Sequence, residues 1–69
     1  MRVKRRILLK ILARLAKDSG VVFQLERSTG PHDVYRWGDY VIAIPRHREI
    51  NERLARSILR DVQKRVEDR

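Results

Sequence analysis

Apolar side chains recur at two different spacings along this 69-residue chain, and the spacing changes twice. Val3, Ile7, Ile11 and Leu15 fall every fourth residue, and Leu8 and Leu12 widen the stripe. Residues 3–16 therefore read as an amphipathic helix, with Arg2, Arg5, Arg6, Lys10, Arg14 and Lys17 largely off the apolar face. Asp18-Ser19-Gly20 ends it, Gly20 supplying the left-handed residue that closes many helices. The period then drops to two. Val21, Phe23 and Leu25 alternate with Val22, Gln24 and Glu26, which predicts a strand from Val21 to Arg27. Ser28-Thr29-Gly30-Pro31 is a turn cluster. His32 to Trp37 and Tyr40 to Ile44 read as two further strands joined by Gly38-Asp39. Pro45 has no N–H to give a ladder and ends the third strand, leaving Arg46 to Glu49 as a connector. The fourfold spacing returns with Leu54, Ile58, Val62 and Val66, flanked by Ala55 and Leu59, and Asn51 is a suitable N-cap for that second helix.

The predicted order is α-β-β-β-α. Two apolar-striped helices need a common surface, and one face of a three-stranded antiparallel sheet supplies it, so the fold class is α+β with the other face open. Residues 1–69 form one predicted domain with a thin core, because chains of this size bury only about 60% of their unfolded surface. A two-residue loop at Gly38-Asp39 pairs Trp37 with Tyr40, Tyr35 with Ile42 and Asp33 with Ile44 on the core side. His32, Val34, Arg36, Val41 and Ala43 then share the open face. A three-residue loop would reverse the two sets.

Charge narrows the functional classes. The chain holds 17 Lys+Arg against 9 Asp+Glu, a net +8, and 13 of the cations are Arg. Arg presents a rigid fork of donors that matches phosphate oxygens, so a polyanionic partner is expected. Residues 1–17 carry +7, residues 18–45 carry −2 and residues 46–69 carry +3. With no cysteine, a disulfide framework, a cysteine zinc site and a thiol nucleophile are excluded. No run approaches the roughly 18 apolar residues of a membrane span, and the basic start leads into a periodic segment rather than a signal peptide. A cytoplasmic protein without a membrane partner is expected.

His32 is the first candidate for chemistry. Histidine exchanges protons near neutrality, and RNA carries its own nucleophile in the 2′-hydroxyl. Cleavage then needs a base, an acid and cations facing the phosphoryl oxygens. His32, two pleats from Arg36 on a basic face, fits that need; a solvated histidine beside Gly30-Pro31 fits the same residues. His47 is either a phosphate contact, a second proton carrier or an exposed connector residue. The histidines and neighbouring carboxylates Asp33 and Glu49 lack the arrangement of a metal site, and no cofactor is implied. Lys4, Arg5, Lys10 and Arg14 of the first helix either bind a nucleic-acid backbone or form a solvated face. Trp37 and Tyr35 read as core rather than as base-stacking platforms.

The stretch Arg27-Ser28-Thr29-Gly30-Pro31-His32-Asp33-Val34-Tyr35-Arg36 resembles the surroundings of the catalytic histidine in the HicA family of messenger-RNA interferase toxins. Ile42-Ala43-Ile44-Pro45-Arg46-His47-Arg48-Glu49-Ile50-Asn51, with Leu54-Ala55-Arg56-Ser57-Ile58-Leu59-Arg60, is similar to that family's third strand, Pro-x-His connector and second helix. The resemblance implies a double-stranded-RNA-binding-domain-like fold, metal-independent and ribosome-independent cleavage of mRNA, and inhibition by a HicB-type antitoxin. It implies a catalytic role for His32, with Arg36, Arg46, His47, Arg48, Lys4, Arg5 and Lys10 as candidate RNA contacts. Where the family has Gly-Ser shortly before its histidine, this chain has Thr29-Gly30-Pro31, and Pro31 removes a backbone donor. A non-catalytic RNA-binding module and a basic domain that binds an acidic protein are the alternative expectations.

Overall fold

The computed structural model describes residues 2–68. Its elements are β1 (Arg2–Lys4), α1 (Arg5–Ser19), β2 (Phe23–Thr29), β3 (His32–Trp37), β4 (Tyr40–Pro45), β5 (Glu49–Asn51) and α2 (Glu52–Glu67). Strands β2-β3-β4 form an antiparallel sheet, and β1 and β5 form a separate antiparallel ribbon. The α+β order of a helix, three strands and a helix is therefore present, with a two-stranded ribbon added to it.

That ribbon corrects the start of the first helix. Arg2, Val3 and Lys4 pair with Asn51, Ile50 and Glu49, so Val3 is extended and α1 begins at Arg5. With Val3 removed from the helix, the buried stripe is Leu8, Leu12 and Ala16, while Ile7 and Ile11 remain 40% and 39% exposed. The sheet and α2 determine which side of the helix is covered, and a six-residue stripe permits several centres. At the other end Gly20 has φ +68°, and the Gly20 and Val21 N–H groups donate to the Lys17 and Ala16 carbonyls. This double closure uses Val21 as part of the helix end, which is why β2 starts at Phe23 rather than Val21.

The β2–β3 turn is also shorter than expected. Ser28 and Thr29 pair with Asp33 and His32, leaving Gly30-Pro31 as the turn, and Gly30 takes φ +57°. A bulge between Leu25 and Arg27 leaves Glu26 as the extra residue. The β3–β4 register matches the two-residue loop: Trp37↔Tyr40, Tyr35↔Ile42 and Asp33↔Ile44. Residues 49–51, expected as connector and cap, pair as β5, and Asn51 still caps α2 by accepting from the Arg53 N–H at 2.8 Å.

The core lies between the helices and one sheet face. It joins Leu8, Leu12 and Ala16 to Trp37, Ile42, Ile44 and Ile50, and to Ala55, Ile58 and Val62 of α2. Trp37 is 1% exposed, and its Nε1–H donates to the Leu12 carbonyl at 3.0 Å. Phe23 and Tyr35 stack with centroids 5.1 Å apart, extending the packing toward the β2 edge. The opposite face is not uniformly open: Val34, flanked across the strands by Arg27 and Ala43, is only 7% exposed. No described helix is long and apolar enough to cross a membrane.

Candidate active site

His32 is the first residue of β3, directly after the Gly30-Pro31 turn, and faces Thr29 on one side and Pro45 on the other. It is exposed on the sheet face away from the helices, and among the described residues its imidazole makes no hydrogen bond. Its backbone, in contrast, is held from both neighbours. The Arg46 N–H donates to the Pro31 carbonyl at 2.9 Å, and Asp33 is the centre of a polar cluster.

Asp33 points to the helix side, with its side chain 14% exposed. Its Oδ2 accepts from Arg5 Nη2 at 2.6 Å, its Oδ1 accepts from Ser28 Oγ at 2.7 Å, and Arg46 Nε lies 3.6 Å from Oδ1. Arg5 Nε donates to the Pro45 carbonyl at 3.0 Å, and the Arg5 N–H donates to the Arg48 carbonyl at 2.8 Å. The helix start, the end of β2 and the connector thus converge on one carboxylate at the start of β3. The Glu26 bulge puts Ser28 opposite Asp33 and makes this convergence possible. Charge-assisted bonds of this kind contribute about 1.5–3 kcal/mol each when partly buried. Asp33, read from the sequence only as a carboxylate beside His32, gains Arg5 and Arg46 as partners in the fold.

Around this cluster Lys4, Arg5, Arg6, Arg46 and Arg48 line a half-open cleft of about 510 Å³ without a carboxylate among its lining residues. Arg46 links cleft and histidine, since it follows Pro45, the cross-strand partner of His32. Lys4, Arg5, Arg46 and Arg48 were candidates from the sequence; Arg6 was read only as a residue off the apolar stripe. Only the return of β5 to β1, which sets the connector against the start of α1, brings these separated cations together.

Three other candidates lie elsewhere. Arg36 shares a face with His32 but sits four residues along the strand, about 13 Å away at a strand's rise. Its Nε and Nη2 donate to Glu26 Oε1 at 3.1 and 2.9 Å, so its charge is already matched. His47 lines a different groove, with Arg2, Arg48, Ile50 and Leu54 among its walls. Lys10 is exposed on α1 and does not line the cleft. Trp37 is buried and Tyr35 half-buried, as core residues. Among the described residues no group of three or more His, Cys, Asp or Glu comes together. No family model, curated protein or solved structure matches the chain.

Proposed function

We propose that the protein is a HicA-type endoribonuclease, the toxin of a toxin–antitoxin pair, which cleaves mRNA without metal or ribosome. The observation that carries this reading is an exposed, unbonded histidine on an anchored strand start, whose cross-strand partner Pro45 leads into Arg46, one of five cations that line a cleft. The RNA supplies the 2′-hydroxyl, and His32 takes its proton or protonates the departing 5′-oxygen. Arg46, Arg48, Lys4 and Arg6 hold the phosphate and face the charge that develops on its oxygens. Asp33 takes no part in proton transfer and keeps Arg5 and the connector in place. The resemblance adds mRNA as the natural substrate and a HicB-type antitoxin as the inhibitor, acting in the cytoplasm.

The test is cleavage of single-stranded RNA by the purified protein in the presence of EDTA. Product from RNA, none from the matching DNA, and none from His32→Ala is the expected result; full cleavage by His32→Ala overturns the assignment. A second reading has its own observation: His47 lies in another groove and Arg36 is paired with Glu26, so His32 has no second proton carrier beside it. On that reading the protein is a non-catalytic RNA-binding module. Salt-sensitive binding without product at any pH between 5 and 9, in the range where histidine titrates, selects it.

A further inference from the structure

The outward face of α2 is a row of cations. Arg53, Arg56, Arg60 and Lys64 fall at i, i+3, i+7 and i+11, opposite the buried Ala55, Ile58 and Val62. The row runs about 16 Å at the helical rise. Like charges one turn apart repel, and exposed helices commonly relieve this with a carboxylate at each fourth position. Here Glu52 reaches Arg56 at 3.1 Å, and among the described residues Arg53, Arg60 and Lys64 have no ion pair. Arg14 on α1, by comparison, has Asp18 at 3.4 Å.

The row is also connected to the cleft. Glu52, Arg53, Arg56 and Arg60 line a groove of about 320 Å³. Asn51, whose side chain accepts from the Arg53 N–H, lines the neighbouring groove with Arg2 and Arg48. Arg48 in turn lines the cleft with Lys4, Arg5, Arg6 and Arg46. Cations therefore continue from the cleft, across the β1–β5 ribbon and along α2. We infer that this helix face is a second phosphate-binding site, which holds the same single-stranded RNA at a distance from the point of cleavage. The inference rests on the reading of the protein as RNA-binding and does not require cleavage.

The experiment uses the full chain carrying His32→Ala, so that RNA stays intact, and oligouridines of about 4 and about 16 nucleotides, spanning common single-strand site sizes. The ridge variant adds Arg53→Gln, Arg56→Gln, Arg60→Gln and Lys64→Gln; glutamine keeps helix propensity, and circular dichroism checks the helix. For the longer RNA, the log–log dependence of affinity on salt is expected to become shallower by about 2–3 units, at roughly 0.7 per lost phosphate contact. The short RNA is expected to bind as before. Arg60→Gln alone removes roughly 0.7 of a unit, and amide shifts of residues 53–64 move only with the longer RNA. Equal weakening on both lengths means a general charge effect and overturns the inference, as does no weakening on either. Unchanged RNA binding with lost binding to polyglutamate assigns the face to an acidic protein and overturns it too. If the unsubstituted protein, with His32 in place, binds RNA without cutting it, the nuclease reading fails while the ridge still stands on its slopes; if it binds neither length, both fall.

Discussion

Strand β3 is anchored at both ends, by different physics. At the Trp37 end the anchor is apolar: the indole is enclosed beneath α1, its one polar atom is bonded to Leu12, and the Gly38-Asp39 turn follows immediately. At the His32 end the turn residues Gly30 and Pro31 are exposed, and the Asp33 carboxylate ties the strand down by drawing in Arg5, Ser28 and Arg46. An apolar anchor works by excluding water, so nothing that must meet a solvated substrate can sit there. An ionic anchor fixes the backbone while leaving the surface wet. The reactive candidate lies at the second kind of end, where anchoring and access are compatible.

That comparison can be broken by substitution. His32→Ala is expected to reduce RNA cleavage by about 10²–10⁴-fold, the usual contribution of a positioned acid or base. Its melting temperature should stay at the parent value, since the ring has no bonded partner; a large fall in melting temperature would make His32 a structural residue. Trp37→Ala should cost about 3–5 kcal/mol in denaturant unfolding followed by circular dichroism, with cleavage per folded molecule retained. Asp33→Asn should cost less, about 1.5–3 kcal/mol, but lower cleavage as well, because the start of β3 and two cleft cations lose their common partner. If the two ends were equivalent, Asp33→Asn would change stability alone.

Smaller effects sharpen the contrast. Arg36→Gln removes a half-exposed pair with Glu26, and its stability change should stay within about 1 kcal/mol. A severe cleavage defect in that variant would place Arg36 on the substrate despite Glu26. The smallest effect concerns the link between β4 and α2. The Tyr40 hydroxyl donates to Asp61 Oδ2 at 3.0 Å, and the Arg65 guanidinium lies 3.7 Å over its ring. Burial first, then the Asp61 hydrogen bond and charge, raise the Tyr40 phenol above its ordinary 10.0, while Arg65 pulls it down. A raised folded value means the contribution is complete below the unfolded value and is lost as pH rises through the folded one. Alkaline unfolding titrations should therefore show a loss above pH 10 that Tyr40→Phe removes.

The β3–β4 hairpin was legible because a two-residue Gly38-Asp39 loop leaves one register, and register assigns every side chain to a face. The caps at Gly20 and Asn51 were legible for a similar reason: each is a local backbone requirement met by a particular residue. The start of α1 was not. Val3 fits the helical stripe as well as it fits a strand, and a partner 47 residues later, Ile50, decides between them. The end of β2 was missed because Ser28 and Thr29 are common turn residues, and the bulge that recruits them has no local marker.

The candidate site divides the same way. Alternation along β3 and the position of the turn were enough to put His32 on the solvent face, and the excess of arginine is the basis for expecting an anionic partner. Which arginines stand together was decided only by the tertiary structure. Arg5, Arg46 and Arg48 come from segments about forty residues apart, and Asp33 and the β1–β5 ribbon draw them to one place. Local spacing specifies what each element is and which way its side chains point. Ion pairs between distant segments depend on how those elements close on one another, and that is settled by the packing of the whole chain.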